Sequence, residues 1–533
     1  MSYLSNLFSL NKESKIVILG LGVENQQFLV WLIKVANFST NQIIIADKVA
    51  ISNFEIEGQM HDLKDFETVF GDNYLSILND RRVEWVFKTP GIWSLMPELQ
   101  WFRDRHGHDR VLGSMTFFIE KFREQIIGIN GTKGKSTTCS MLTHLLSQKF
   151  QTEGYQQVHY CGNTVGVSPY QFWKELEQEV NPGEFFVIEL SSFQLQDIGF
   201  AALSPKYSAI TNYYIDHLDQ HAHVYEYWKS KDQIFEHQKA GDYLVVGEWL
   251  NEHYIDRERM YFDLQEGDKW NKYMISEVLN KEFILPDSVF EQLRNTFTTQ
   301  LPGQHNWQNL VLALILYQLI ISKNPLKMTQ EQALQLLENP KNSSQIQSYI
   351  NTFRPLAHRL ELIHSVTTQL KNSSSLTIQF WDDGAATEPD AVIAAVKALT
   401  TRPNEFLWLQ ITGKDKGGEI IELAGIIKDN ANDKIIRADL CGAVGLRIKN
   451  HHRLPELQET QISNFRSLVQ KDLVNLNQMT GEFQSWLDQY FNSGIITSYI
   501  LNICLSPCGS SFDEFSNYKE RSNWWKEKVQ KLT

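Results

Sequence analysis

The chain has 533 residues, a formal net charge of −13, and 42% hydrophobic residues. That length and composition suit several packed cores of ordinary globular type. The acidic balance argues against a nucleic-acid protein, which would show a basic face.

In chain order, "KIVILGLG" reads as an apolar strand ending in glycines, "VENQQFLVWLIKVA" has helical periodicity, and "QIIIAD" is a second strand. Together they make a βαβ unit. "EWVFKTPGIW" reads as a later strand closed by a Thr-Pro-Gly turn. A second strand–loop–helix starts at "EQIIGINGTKGKSTTCSMLTHLL", followed by strands at "EFFVIEL" and "YSAITNYY", a helix over "VYEYWKSKDQIFEHQ", and a helix starting near Asn306. Within that last helix, "LVLALILYQLII" is too short to span a bilayer and carries Gln318, so it reads as buried. "NTFRPLAHRLELI" reads as a junction, and a third α/β region runs through "LTIQFWDDGAATEPDAVIAAVKAL", "EFLWLQITGKDKGG" and "GIITSYILNICLSP". Residues 251–299 and 447–493 carry no readable chemistry. The expectation is three α/β units in series.

The N-terminus lacks the charged region and cleavage site of a secretion signal. The five cysteines form no CxxC pair, which suits reduced thiols in a cytoplasm.

The stretch from Gly128 to Thr138, "GINGTKGKSTT", carries the clearest chemistry. A strand, a glycine-rich turn and a helix aim backbone N–H groups and the positive helix end at an anion. Gly131 and Gly134 permit a tight path. Lys135 would reach outer phosphates and Ser136 would hold Mg²⁺. The strict phosphate-loop motif needs glycine where Ile129 stands, so the plain motif is broken.

The variant G-x-x-G-x-x-G-K-S-T resembles the loop of the Mur ligases and the related folylpolyglutamate synthases. Other motifs follow in that family's order: Thr89-Pro90-Gly91, "GNTVG", "ELSSFQL", "TNYYIDHLDQH", "SKDQIF", "LPGQHNWQN", "AHRLE", "GKDKGG" and "LSPCGSSFDEFSNYKER". "ELSSFQL" and the last of these resemble the D-glutamate-adding branch. The resemblance implies three domains: an N-terminal Rossmann-like domain over 1–112 that binds the UDP substrate, a central phosphate-loop ATPase domain over 113–355, and a C-terminal Rossmann-like domain over 356–533 that binds the amino acid. It implies a cytoplasmic, monomeric enzyme with ATP and Mg²⁺, which adds D-glutamate to UDP-N-acetylmuramoyl-L-alanine through an acyl phosphate. No nucleic acid or membrane partner is expected.

Site residues follow from the same resemblance. Lys135, His217 and Lys231 match the catalytic groups. Ser136, Glu189, His217 and a CO₂-carbamylated Lys231 match the metal site. Asn130, Gly131, Thr132, Lys133, Gly134, Lys135, Ser136 and Thr137 match the ATP loop, with Asn306 and Asn309 on the adenine side and Arg359 and Asp383 from the third domain. Val23, Glu24, Asp47, Thr89, Pro90, Gly91 and Asn163 match UDP-substrate contacts, and Thr387, Lys416, Ser511 and Tyr518 match amino-acid contacts. Without the resemblance, Lys231 reads as a solvated helical lysine, His217 as a packing or capping histidine, and "GLGVEN" as an ordinary βα turn in which Asn25 replaces the third glycine of GxGxxG. Three places depart from the family. Asn130 replaces a usual threonine and Lys133 a usual asparagine. "DDGAAT", Asp382 to Thr387, has Gly384 and Ala385 where the family has serine and lysine.

Overall fold

In the computed structural model the described residues are 3–56, 58–153, 157–162, 166–176, 178–179, 184–213, 224–247, 284–285, 287–322, 330–371, 373–415, 420–430, 433–452, 465–472, 475–490, 497–511 and 514–532. They build three large sheets and one small hairpin. Asn163, His217 and Lys416 lie outside the described residues, as does most of 251–299.

The first sheet holds β1 (Lys15–Leu19), β2 (Ile43–Asp47), β5 (Glu67–Phe70), β6 (Val83–Lys88) and β7 (Val111–Leu112), in the order β5-β2-β1-β6-β7. The hairpin β3 (Asn53–Ile56) and β4 (Gln59–Asp62) stands apart. The second sheet holds β8 (Ile126–Asn130), β9 (Val158–Cys161), β10 (Phe185–Glu189), β11 (Tyr207–Ile210), β12 (Tyr243–Gly247) and β13 (Ile284–Leu285), in the order β13-β12-β11-β8-β10-β9. Every pairing in both sheets is parallel. Parallel strands need helices on both faces, so their sequences run continuously apolar. Ile16, Val17, Ile18 and Leu19 of β1 are accordingly all fully buried.

The third sheet holds β14 (Glu361–Gln369), β15 (Ser375–Asp382), β16 (Glu405–Thr412), β17 (Ile435–Leu440) and β18 (Ser498–Cys508), ordered β14-β15-β18-β16-β17. Only its edge pair, β14 with β15, is antiparallel.

The chain forms two compact units, Met1–Thr298 with Gln308–Phe353, and Thr299–Trp307 with Arg354–Thr533. The first unit contains both the first and second sheets. A continuous core explains this: Phe28 and Phe87 from the first sheet region meet Phe117, and Phe118 of the same helix (Met115–Phe122) meets Phe186 of β10 edge-on at 5.0 Å. Such ring pairs add to what area burial alone contributes. One division between the two units falls at Phe353/Arg354.

In the helix Gln304–Ile321 the largely apolar stretch 309–320 is buried throughout, as its composition requires, while Gln304 at its start is exposed. Among the described residues no helix is long and apolar enough to cross a membrane. One expected helix is shorter than its apolar periodicity suggests. It spans Val224–Asp232, and the chain beyond continues in hydrogen-bonded turns, with Ile234 N donating to Lys231 O at 3.2 Å and Glu236 N to Asp232 O at 3.0 Å.

Candidate active site

β8 lies mid-sheet, with β10 on one side and β11 on the other, so the chain reverses its winding at its carboxyl end. That is where ligands bind in open α/β sheets. The loop from Gly131 leaves β8 there and enters the helix Lys135–Glu153. Gly131 has φ +142° and Gly134 φ +82°. A Cβ on Gly131 would lie 1.9 Å from Thr211 Oγ1, and one on Gly134 would lie 2.4 Å from Asn309 Oδ1. Only glycine fits both the backbone and the space.

The loop is clamped from β11. Asn212 Oδ1 accepts from the backbone N–H of Thr132 at 3.1 Å and of Lys133 at 2.8 Å, and Asn212 Nδ2 donates to Lys133 O at 3.0 Å. The Thr211 hydroxyl also donates to Lys133 O. Both residues open the motif "TNYYIDHLDQH", but neither was assigned a role from the sequence. Lys135 Nζ donates to Gly131 O at 2.9 Å and Thr132 O at 3.1 Å, folding back over the loop. Asn130 is buried and donates to Leu190 O at 2.6 Å, tying the ends of β8 and β10.

Around the loop stand Ser136, Glu189, Lys231 and Asn309. Glu189 closes β10 and accepts the Tyr160 hydroxyl at 3.2 Å; that hydroxyl also lies 3.4 Å from Ser136 O. Burial, with Glu189 nearby, pushes the Tyr160 phenol up, so it stays a donor. Asn309 Oδ1 accepts from Thr138 at 3.2 Å. Lys231 is only 1% exposed, which corrects the solvated reading from residues alone. Its Nζ donates to Thr132 Oγ1 at 2.9 Å and lies 4.4 Å from the Tyr227 ring centre. The structure therefore brings Lys231 onto the phosphate loop. The hydroxyl of Ser136 and the carboxylate of Glu189 are hard oxygen donors flanking one loop, a set that fits Mg²⁺.

At the first sheet's carboxyl edge, Asp47 accepts from Leu21 N at 2.7 Å and Val49 N at 2.9 Å, and the Thr89 side chain packs on Gly20 and Gly22. Val23 is 60% exposed, and Pro90 and Gly91 line the same turn. Asn25 is fully buried, and its amide donates to Gly20 O at 2.8 Å and Phe87 O at 3.1 Å. Glu24 faces inward. It accepts from Ser114 Oγ at 2.5 Å and Gln194 Nε2 at 2.7 Å, and burial raises its carboxyl against those bonds. Gln194 also completes a capping box with Ser191 at the start of the helix Ser192–Phe200.

The loops after β15, β16 and β18 share one edge. Lys414 and Ser510 exchange backbone bonds at 2.8 and 3.1 Å, and Cys508 N donates to Ala386 O at 2.8 Å. Asp383 is buried, accepts from Ser506 Oγ at 2.8 Å and Leu360 N at 3.1 Å, and is pushed up to about 7 by burial. His358 holds Asp382 at 2.7 Å and stacks edge-on against Tyr518 with ring centres 6.0 Å apart. Burial opposes ionisation of Asp382, but His358 and Lys526 outweigh it and hold the carboxyl below its usual value. His358, Glu361 and Asp382 are close enough to share a metal ion. Lys526 Nζ already lies 2.6 Å from Glu361 and 3.3 Å from Asp382, supplying positive charge there. Arg359 and Thr387 are half-buried beside this cluster, and Ser511 is buried. Asn306 donates to Pro302 O at 2.7 Å. A Cβ on Gly384 would lie 1.7 Å from Ser522 Oγ, so the departure at 384 is matched by a tighter approach of the helix Tyr518–Val529.

Residues 129–317 match the Mur ligase middle domain family. The chain is 25% identical over 526 residues to the UDP-N-acetylmuramoylalanine–D-glutamate ligase of Clostridium kluyveri, covering 97% of each chain. It is 27% identical over 452 residues to that of Aquifex aeolicus, covering 84% of this chain and 88% of the relative. The Natranaerobius thermophilus protein of the same name is 26% identical over 543 residues, covering 98% of each. A solved structure of MurF ligase from Thermotoga maritima in complex with ADP aligns over 98% of this chain and 97% of that one, at 10% identity and a TM-score of 0.47. The middle-domain match covers the clamped phosphate loop, and the likeness to the named ligases extends over nearly the whole chain.

Proposed function

We propose that the protein is a cytoplasmic, monomeric ligase that uses ATP to add D-glutamate to UDP-N-acetylmuramoyl-L-alanine. The observation that carries this reading is the phosphate loop clamped by Asn212, with Lys231 on Thr132 and Glu189 closing the adjacent strand. D-Glutamate is favoured by the shared name of the curated relatives. The domains proposed for substrate, ATP and amino acid are 1–112, 113–355 and 356–533.

The loop N–H groups and the helix end would cradle the ATP phosphates, and Lys135 would turn from the loop carbonyls to the outer phosphates. Mg²⁺, held by Glu189 and Ser136, would offset the repulsion between the phosphates and a substrate carboxylate. A carboxylate oxygen attacks the γ-phosphorus and ADP leaves; the incoming amine then attacks the acyl carbonyl carbon, the amide bond forms, inorganic phosphate leaves and the nitrogen gives up a proton. Val23, Asp47, Thr89, Pro90 and Gly91 would hold the UDP substrate, while Arg359 and Asp383 would reach the nucleotide. Thr387, Ser511 and Tyr518 would receive the amino acid. His217, Asn163 and Lys416 keep their proposed roles.

A sister ligase with another amino acid is the second reading. It is favoured by the crowding of Gly384 against Ser522, which leaves no room for a side chain at that position. The test is phosphate release from purified protein with ATP, Mg²⁺ and UDP-N-acetylmuramoyl-L-alanine, scanning amino acids of both chiralities. D-Glutamate-dependent release is expected. Release only with another amino acid moves the assignment to the sister ligase, and no amino-acid-dependent release defeats the ligase reading.

A further inference from the structure

Lys88 is the last residue of β6 and immediately precedes Thr89-Pro90-Gly91. It is fully buried, an unusual position for an ammonium in an otherwise apolar strand. Its Nζ lies 2.8 Å from Asp197 Oδ2, which is itself 1% exposed. The other oxygen of the same carboxylate accepts from Ser94 Oγ at 2.7 Å. Lys88 and Ser94 are the two stems of the turn 89–93, so one carboxylate grips both. Arg103 donates to Ser94 O, and a Cβ on Gly113 would lie 2.9 Å from Asp197 Oδ2, so the carboxylate is boxed in.

Asp197 comes from the second sheet's helix Ser192–Phe200, eight residues after Glu189. A second strap runs parallel. Trp93 Nε1 and Gln196 Nε2 both donate to Glu226 Oε1, at 3.0 and 3.1 Å, and Glu226 lies on the helix that carries Lys231. A buried ion pair is a poor source of net stability compared with an apolar pair of equal volume, but it demands one geometry. Here that geometry is the position of the turn 89–93 relative to the strand end bearing Glu189.

We propose that Asp197 is a positioning residue: through Lys88 and Ser94 it sets the muramoyl-substrate turn in register with the phosphate-loop sheet. This rests on the reading that Thr89–Gly91 hold the UDP substrate. Asp197 touches no reacting atom, and its effect is on where the substrate carboxylate is presented. The groups facing it are Lys88, Ser94 and Gly113, with Glu24 and Arg103 in electrostatic reach.

The test is calorimetric binding of UDP-N-acetylmuramoyl-L-alanine and, separately, of ATP to the full chain and to Asp197→Asn, Ser94→Ala and the double variant K88Q/D197N. Thermal melting checks that each is folded. D197N is expected to weaken UDP-substrate binding at least tenfold and leave ATP binding within twofold. K88Q/D197N, a neutral hydrogen-bonding pair, should recover UDP-substrate binding to within threefold of the parent. Should D197N fail to fold, S94A carries the test, because it removes one grip without stranding a charge; a threefold or larger loss of UDP-substrate affinity alone is expected. Equal binding by folded variants, or parallel losses for both ligands, overturns the proposal. A parent protein that binds ATP but no UDP-muramoyl compound overturns the reading of the turn itself.

Discussion

Replacing Asn212 with alanine isolates the loop clamp from the chemistry. The side chain makes three bonds to the loop: two from Thr132 N and Lys133 N to Oδ1, and one from Nδ2 to Lys133 O. Each contributes about 1 kcal/mol net. Thr132 N keeps a partner in the Asn212 backbone carbonyl at 3.1 Å, so the loss is about 2–3 kcal/mol of loop order. If ATP binding must restore that order, affinity falls roughly 30- to 150-fold. The assay is equilibrium binding of ATP with Mg²⁺ to parent and N212A, with melting curves for both. A folded N212A that binds ATP within threefold of the parent would show that the loop holds its shape without the clamp, and the reasoning would fail.

Three further outcomes are expected. Asp383, pushed up to about 7, keeps its proton when folded while the unfolded chain ionises near 3.8. Its contribution is therefore full below about pH 4 and lost as pH rises through about 7, at most about 4 kcal/mol. Melting temperatures of the parent and Asp383→Asn at pH 5 and pH 8 should diverge in favour of the variant at the higher pH; parallel curves would refute this. Gly384→Ser should cost about 1–3 kcal/mol by overpacking against Ser522, and Ser522→Gly in the same chain should restore most of the lost melting temperature. Lys231→Ala should abolish ligase turnover; full activity that is also insensitive to bicarbonate removal would remove Lys231 from the site.

The strands bearing the chemistry were legible because parallel strands are apolar runs and the loop carries glycines that nothing else can replace. "IIGIN" and "FFVIE" form strands close to their expected bounds, whereas the strand expected over "YSAITNYY" ends at Ile210, where Thr211 and Asn212 turn to the loop. Burial of charge was not legible. Lys88 and Lys231 look like any lysine in the chain, since what buries them comes from residues about a hundred positions away, Asp197 and Thr132. Asn25 stood out as a broken glycine motif, but its use, an amide tying the ends of two strands, depends on Phe87 O. Asn212 sits in the motif "TNYYIDHLDQH", but its use as a clamp depends on the loop N–H groups of Thr132 and Lys133 some 80 residues away. The hairpin β3–β4 and strand β17 were also missed, being short or bounded by ordinary residues.

The order of the third sheet has a consequence for how the chain is made. β14 and β15 form a local hairpin and pair as soon as both are synthesised. β18 is the last of the five strands in sequence, yet it sits between β15 and β16. Until it arrives, β15 and β16 each face a missing neighbour, with open backbone edges and apolar faces bared. The sheet cannot close gradually from one side; it completes when its middle strand is inserted. During translation, β15 waits more than a hundred residues for that partner, from Ser375 to Ser498. That interval is when the nascent chain most needs protection from self-association.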